Sequence, residues 1–155
     1  MNNGHRINIP NKKAHHDYVI LETFEAGVVL SGGEIKSVRK GSASLADSFV
    51  RLVDQEAYLV NAYIAPYQET VGYDPRHSRK LLLHRKEILY LTGKIASSNL
   101  TLVPLKMYNK RNIVKVEVAL ARGKKTFEKR ELLKRRAIER EVEQELREAK
   151  LKKTS

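Results

Sequence analysis

A regular alternation of apolar and charged residues runs through Ile113-Val114-Lys115-Val116-Glu117-Val118-Ala119-Leu120. The even positions from 114 to 120 are apolar and share one face, while Lys115 and Glu117 lie on the other. Because successive side chains of a strand point to opposite faces, this pattern predicts a half-buried β-strand. A β-rich run from Leu100 to Tyr108 precedes it across a four-residue turn at 109–112, so the two predict a hairpin. Pro104 inside the first run favours an edge position or a bulge, since proline donates no ladder hydrogen bond.

Further strands and two short helices complete the predicted body. A second hairpin is predicted from 49–53, through a turn at 54–56, to 57–64, and residues 18–24 and 28–30 supply two more strands. Helices are predicted at 34–40 and from residue 85 to 92 or beyond, with Gly93 as a candidate end. Short antiparallel strands around one core are typical of a small barrel, because closure removes exposed edges. The predicted fold is therefore mainly β, a closed antiparallel barrel of about six strands with two or three short helices.

The composition is that of a strongly basic protein. The 155 residues include 30 Lys and Arg against 18 Asp and Glu, a net charge of +12, and 41% are hydrophobic, enough to form a core. We expect no membrane span and no signal peptide, since no apolar run is long enough. The absence of cysteine excludes disulfides and thiolate zinc sites and fits a cytoplasmic location. Nucleic acid is the default partner for such a charge balance, because basic side chains neutralise phosphates.

The positive charge is concentrated at the C-terminal end. Residues 1–121 hold 17 basic and 11 acidic side chains, whereas the last 34 residues hold 13 and 7, so both parts carry +6. Ile138, Val142 and Leu146 form an i, i+4, i+8 row, which is a narrow stripe for anchoring a helix. The sequence therefore predicts a basic tail over 122–155 that is unfolded or only partly helical in the free protein. Residues 1–16 are predicted as an N-terminal extension and 17–121 as the barrel.

One group of residues invites a catalytic or metal-binding interpretation. His15, His16 and Asp17 carry imidazole and carboxylate groups, which are common ligands and general bases. On the strand predicted there, adjacent side chains point to opposite faces and cannot readily converge on one ion. Known catalytic signatures such as a Walker A loop, a G-x-S-x-G elbow or an H-E-x-x-H pair do not occur. We therefore predict no enzyme activity, no metal and no cofactor.

An ordered set of motifs resembles the small protein B (SmpB) family, the SsrA-binding proteins of bacterial trans-translation. The resemblance covers roughly residues 11–135, and the order and spacing of the motifs are specific although no single motif is. The motifs are Asn11–Tyr18, Glu25-Ala26-Gly27, Gly33–Arg39, Asp47-Ser48-Phe49, Arg79–His84, Leu100–Leu105 and Gly123–Arg130.

The resemblance implies a fold and a function. The fold is an oligonucleotide-binding (OB-like) barrel with a basic C-terminal tail, and the function is that of a non-enzymatic adaptor. Such proteins bind the tRNA-like domain of transfer-messenger RNA (tmRNA) and carry it to ribosomes stalled with an empty decoding site. The implied partners are tmRNA, the 70S ribosome with its small-subunit rRNA and, indirectly, alanyl-tRNA synthetase and elongation factor Tu. We expect a monomer.

The barrel residues expected to bind tmRNA are mostly cations. Those at 76–80 lie beside Tyr73 and His77, and a mixed basic and aromatic surface suits folded single strands. Glu25 is included because the family's E-A-G motif lies in its RNA-contacting region. The full predicted set is Lys12, Lys13, His15, Glu25, Lys36, Arg39, Arg76, Arg79, Lys80 and His84.

The tail residues expected to bind the ribosome surround one aromatic ring. Phe127 is predicted to stack on a decoding-site nucleotide, although many family members carry His or Tyr there, and Glu128 stands where the family usually has Asp. The resemblance implies that the tail becomes helical in the empty mRNA channel. The predicted set is Lys124, Lys125, Phe127, Glu128, Lys129, Arg130, Lys134 and Arg135.

Two other classes of protein remain open on the sequence. One is a barrel-type translation or ribosomal protein that binds rRNA permanently. The other is an RNA-processing hydrolase with a histidine–carboxylate site at His15, His16 and Asp17. A preference for a tRNA-like fold over bulk rRNA, and a metal-dependent cleavage assay, respectively, would separate these classes from the adaptor.

Overall fold

The computed structural model describes residues 6–68 and 71–154, and the side chains of 6–68, 71–124 and 134–151. This part of the chain forms nine strands and four helices. Their bounds are β1 (Asn8–Pro10), α1 (Lys12–Asp17), β2 (Tyr18–Val28), α2 (Gly32–Arg39), β3 (Ala43–Ser44), β4 (Phe49–Val53), β5 (Glu56–Val60), β6 (Tyr63–Ile64), β7 (Arg79–Leu82), α3 (Arg85–Ser97), β8 (Thr101–Lys110), β9 (Ile113–Gly123) and α4 (Lys125–Thr154).

Seven strands form one large antiparallel sheet in the order β1-β8-β4-β5-β7-β2-β9, and β8 pairs with β9 as well. The predicted hairpin of β8 and β9 is confirmed, with a bulge between Pro104 and Lys106 and a turn shortened to Arg111-Asn112. The alternation in β9 is confirmed too, since its even-numbered residues from 114 to 120 are all buried. The protein is therefore mainly β, with its core inside this sheet.

The second predicted hairpin is also present, as β4 and β5. Its turn is the two residues Asp54 and Gln55, whose φ angles are +50° and +64°. Positive φ at both positions is the signature of the tight turns that match the twist of paired strands. β6 leaves this hairpin and pairs with β3 in a separate two-stranded sheet, Ala43 opposite Ile64 and Ser44 opposite Tyr63.

Several predicted boundaries are wrong for local reasons. Strand β2 is continuous from Tyr18 to Val28, because residues 25–27 pair with β9 rather than forming a turn. Helix α3 passes through Gly93 and ends at Ser97, and its buried residues are Ile88 and Leu91. Helix α2 begins at Gly32, where Ser31 and Glu34 form a reciprocal capping box.

The N-terminal segment differs from the predicted extension over residues 1–16. Strand β1 pairs with β8, and Ile7 and Ile9 belong to the main core. Asn11 then joins α1 to the sheet: its side-chain amide donates to the Pro104 carbonyl at 2.8 Å, and its oxygen accepts from the Ala14 amide. Residues 7–17 are consequently part of the folded body.

Candidate nucleic-acid interface

The centre of the candidate interface is a buried ion pair between α2 and β7. Arg79 is 1% exposed, and its Nε donates to Glu34 Oε2 at 2.9 Å. Its Nη1 donates to the Ala62 carbonyl at 2.6 Å, and its Nη2 donates to the Tyr73 hydroxyl and the Pro75 carbonyl at 3.0 and 2.9 Å. All three guanidinium nitrogens are therefore used to fix the segment before β7 against α2.

Glu34 completes this network and stays ionised. Burial raises the pKa of its carboxyl, but hydrogen bonds from His77, the Ser31 amide and Arg79 outweigh burial and hold the pKa well below its ordinary value. His77 Nε2 lies 2.9 Å from Glu34 Oε2. The Glu34 carboxylate thus joins the first turn of α2 to both ends of segment 73–79.

The structure corrects the predicted role of Arg79. A guanidinium that is enclosed by Glu34, Tyr73 and two backbone carbonyls cannot reach a phosphate, so a direct RNA contact is wrong for this residue. The neighbouring predicted cations are exposed, on the outer face of α2, in the loop before β7 and on β7. These are Lys36, Arg39, Arg76 and Lys80.

Besides Arg79, Lys80 and His84 are the predicted residues on β7 and at the start of α3. Lys80 Nζ lies 3.6 Å from Glu56 Oε1, an exposed pair that an RNA phosphate can replace at small cost. His84 is exposed at the N-cap of α3, where its backbone amide donates to Glu87 Oε1 at 3.0 Å. Arg79 thus joins α2 to β7, and His84 follows β7 at the start of α3.

Glu25 lies on a different part of the sheet. Tyr108 donates a hydrogen bond to its carboxylate and Lys110 Nζ lies 3.1 Å away, and these contacts hold the pKa of Glu25 below its ordinary value. The carboxylate is exposed, and two donors from the β8–β9 hairpin, Tyr108 and Lys110, point at it. Tyr108 and Lys110 were missed from the sequence because their approach to Glu25 depends on the pairing of β2 with β9.

Two tyrosines beside the basic surface were also missed. Lys36 Nζ and Lys40 Nζ lie 5.0 and 4.8 Å from the ring centroid of Tyr67, and the Arg76 guanidinium lies 5.5 Å from that of Tyr63. The available signal was the pair of tyrosines four residues apart, but their approach to Lys36, Lys40 and Arg76 is a tertiary contact.

Of the predicted residues of α1, Lys13 lines a separate cleft. Lys12 and His15 are exposed, and Lys13 Nζ contacts Asp47 Oδ1 at 2.5 Å. A cleft of about 420 Å³ lies between α1, the loop before β4 and α4, and its lining includes cations that were predicted for two different partners. These are Lys13 and Arg76 from the body and Lys134 and Arg135 from α4.

The histidine–carboxylate motif lies on a helix and not at the entrance of a strand. Asn11 caps α1, which holds His15, His16 and Asp17, and His16 Nδ1 lies 3.0 Å from Asp17 Oδ1. Successive helical residues are about 100° apart around the axis, so the three side chains do not converge on one point, although His16 and Asp17 contact each other. Among the side chains that the structure describes, in 6–68, 71–124 and 134–151, no group of three or more His, Asp or Glu is placed to hold a metal ion.

The C-terminal segment is a long helix that packs on the β4–β5 hairpin. Val142 is buried against Phe49 and Val60, with Ile138 and Leu146 beside it. The apolar stripe that the sequence identified as narrow is therefore seated in the structure. Ion pairs of Arg51 with Glu139 and Glu143, and of Lys150 with Asp54 at 2.7 Å, flank the stripe.

The predicted tail residues are only partly described. Lys124 is exposed and its amide donates to the Asp17 carbonyl at 3.0 Å, while Lys134 is exposed beside the cleft. The Arg135 guanidinium lies 4.3 Å from the Phe49 ring centroid and contacts Thr101, so it faces the body here. The side chains of Lys125, Phe127, Glu128, Lys129 and Arg130 lie outside the described residues.

No helix in the described part of the chain is long and apolar enough to cross a membrane.

Comparisons with known proteins agree with one another. The family model described as "SmpB protein" matches residues 8–148. An SsrA-binding protein of Sulfurihydrogenibium sp. (strain YO3AOP1) is 56% identical over 135 residues, covering 86% of this chain and 89% of the relative. An SsrA-binding protein of Persephonella marina is 50% identical over 141 residues, covering 90% and 93%.

A solved structure gives the same result. A chain in the structure described as "tmRNA-SmpB: a journey to the center of the bacterial ribosome" is 52% identical, with a TM-score of 0.63 over 76% of this chain and 84% of that one. The resemblance seen in the sequence motifs is thereby confirmed, and the chain belongs to the SmpB protein family.

Proposed function

We propose that the protein is a non-enzymatic RNA-binding adaptor of trans-translation. It binds the tRNA-like domain of tmRNA and delivers it to stalled 70S ribosomes in the cytoplasm. The observation that carries this proposal is the exposed cationic surface of α2 and β7, held by the buried Arg79–Glu34 pair, in a chain whose relatives are SsrA-binding proteins.

We infer further that the large sheet closes into an OB-like barrel. From β8 the hydrogen-bonded neighbours run through β4, β5, β7 and β2 to β9, and β9 pairs back to β8. The join between β4 and β8 is short, with Val50 opposite Leu102. This ring of six strands agrees with the number that the sequence predicted, and OB folds present their strands and loops to nucleic acid.

The exposed barrel residues have a common role in this function. Cations neutralise phosphates, and Glu25 accepts hydrogen bonds from base amino groups once the RNA displaces Lys110. The proposed contacts are Lys12, Lys13, His15, Glu25, Lys36, Arg39, Arg76, Lys80 and His84. Arg79 acts through position only, since it holds the segment that carries Arg76 and Lys80.

The basic tail reports whether the mRNA channel is empty. A polycationic helix and a messenger strand need the same path, so the tail fits only where message is missing beyond the decoding site. Phe127 stacks on a decoding-site nucleotide, and the cations of segment 124–135 pair with rRNA phosphates. Alanyl-tRNA synthetase and elongation factor Tu act through the bound tmRNA.

The first test is a pull-down of the tagged full chain from a bacterial lysate, followed by sequencing of the bound RNA. We expect tmRNA to be the most enriched species relative to its abundance. Enrichment of rRNA alone would instead favour a permanent ribosomal protein. Affinity for a tRNA-like-domain transcript should fall with salt, with a log–log slope of about −0.7 to −0.9 for each phosphate contact.

A truncation after Arg122 separates the two parts of the proposal. The shortened protein retains the sheet and should bind the tRNA-like domain with an affinity close to that of the full chain. It should fail to support tagging of nascent chains on ribosomes that lack downstream message. Loss of RNA binding together with tagging would contradict the division between barrel and tail.

A further inference from the structure

A tyrosine shelf lies beside α2, formed by Tyr63 and Tyr67 with the cations that cover their rings. Tyr67 is 37% exposed, and two ammonium groups are held against its face at 4.8 and 5.0 Å from the centroid. Tyr63 has the guanidinium of Arg76 over its ring at 5.5 Å. Cations at these distances are attracted by the ring quadrupole, so each ring has a positive charge over its face.

The shelf is presented on fixed backbone. Ser44 pairs with Tyr63 between β3 and β6, and the Ala65 amide donates to the Ser42 carbonyl at 2.9 Å. The Ser37 hydroxyl donates to the Ala65 carbonyl at 2.6 Å, which attaches the segment to α2. A side chain on a fixed segment loses little further freedom when a ligand binds, and this favours specific binding.

Tyr67 also lies close to the first turn of α2. A Cβ built on Gly33 would lie 3.6 Å from Tyr67 Cβ, which is ordinary van der Waals contact. Lys36 and Lys40 are one and two turns further along the same face. Tyr67 therefore lies beside α2 and both of its lysines, and 37% of the residue stays exposed.

We propose that Tyr67 is a stacking platform for an unpaired base of the bound RNA, with Lys36 and Lys40 on the flanking phosphates and Tyr63–Arg76 as a second station. Single-stranded RNA is recognised by aromatic rings that stack on bases beside cations that hold phosphates, and the shelf supplies both groups twice. This inference rests on the proposed function and adds a contact that explains how the barrel could favour an unpaired loop over a regular duplex.

The chain contains no tryptophan, so Tyr67→Trp introduces a single fluorophore at the shelf. The probe is a transcript of the tRNA-like domain, titrated into the full-length protein. We expect the transcript to quench the Trp fluorescence at saturation and the affinity to stay close to that of the parent chain, because an indole stacks as well as a phenol. Leu151→Trp, at a position 68% exposed near the end of α4, is the control and should show no quenching.

Two further variants separate stacking from charge. Tyr67→Leu keeps an apolar side chain but removes the ring, and it should weaken binding about 5- to 150-fold without changing the salt slope. Lys40→Gln should reduce the magnitude of the slope by about 0.7 to 0.9. Circular dichroism checks that both variants are folded.

The outcomes distinguish this inference from the function on which it rests. If the unsubstituted protein binds the transcript while Tyr67→Leu binds equally well and the Trp is not quenched, the shelf is wrong and the adaptor stands. If the unsubstituted protein does not bind the transcript, the proposed function fails first. Equal quenching by polyglutamate would also overturn the inference, since the shelf would then fit an acidic polypeptide.

Discussion

The guanidinium groups of Arg79 and Arg51 are used in opposite ways. Every nitrogen of Arg79 donates a hydrogen bond inside the body, to Glu34, Tyr73 and two backbone carbonyls. Arg51 reaches out to Glu139 and Glu143 of α4, and its Nε is buried without a partner among the residues that the structure describes. Arg135, on the other side of the same contact, has a buried Nε in the same condition.

This difference indicates that the folded body is held more firmly than the contact with α4. A buried donor left without a partner costs about 1–3 kcal/mol, and the contact of α4 carries two of them. The apolar contribution is also small, since Val142 is the one fully buried residue among those described on α4. We expect the Arg79 network to keep the body folded, and we expect α4 to leave the hairpin when a polyanion competes for its cations.

The largest expected effect is on the Arg79–Glu34 network of the body. Arg79→Met keeps most of the side-chain volume but leaves the Glu34 carboxylate buried without its cation, and we expect a loss of about 3–5 kcal/mol in the free energy of unfolding. Urea denaturation measures it. Arg76→Met removes an exposed cation three residues away and should cost less than about 1 kcal/mol. Equal losses for the two variants would show that the buried network does not stabilise the body.

A smaller effect is expected at α4. Val142→Asp places a charge against Phe49 and Val60, and we expect it to destabilise the docked helix by about 2–3 kcal/mol. Hydrogen exchange should show loss of protection over residues 134–150 while protection in β8 and β9 is unchanged. Gln144→Asp adds the same charge on the exposed face of α4 and is the matched control. Parallel loss of protection in the sheet would mean that α4 is an integral part of the body.

The features that the sequence could predict are those that depend on residues close together in the chain. The period-2 alternation of β9 and the i, i+4 row of α4 are properties of neighbouring residues, so both were visible without a structure. The helix at His15–Asp17 was missed although Asn11 offered a capping signal immediately before it. The capping signal of Asn11 was local, but residues 15–17 were assigned to a strand instead.

The remaining features depend on partners that are distant in the chain. Arg79 lies among exposed cations in the sequence, and its burial depends on distant partners such as Glu34, 45 residues earlier. The stripe on α4 looked too narrow because the apolar surface on which it packs belongs to a hairpin some 80 to 90 residues earlier. That surface is formed by Phe49 and Val60. Charge type can be read from the sequence, but the direction in which a charge points depends on the tertiary contact.

The smallest expected effect tests whether the ion pairs of Arg51 contribute to docking at all. Arg51→Glu should weaken the docking of α4 by about 1 kcal/mol, since the partners are less than one-third exposed and the new carboxylate faces Glu139 and Glu143. Arg51→Glu combined with Glu143→Arg restores one pair but leaves Glu139 facing a carboxylate, so the double variant should recover about half of the loss. Hydrogen exchange of α4 at low and high salt gives the measurement, with salt narrowing the differences between the three proteins. If neither variant differs from the parent chain, the ion pairs of Arg51 do not contribute to docking, and competition by a polyanion for this arginine would not be sufficient to release the helix.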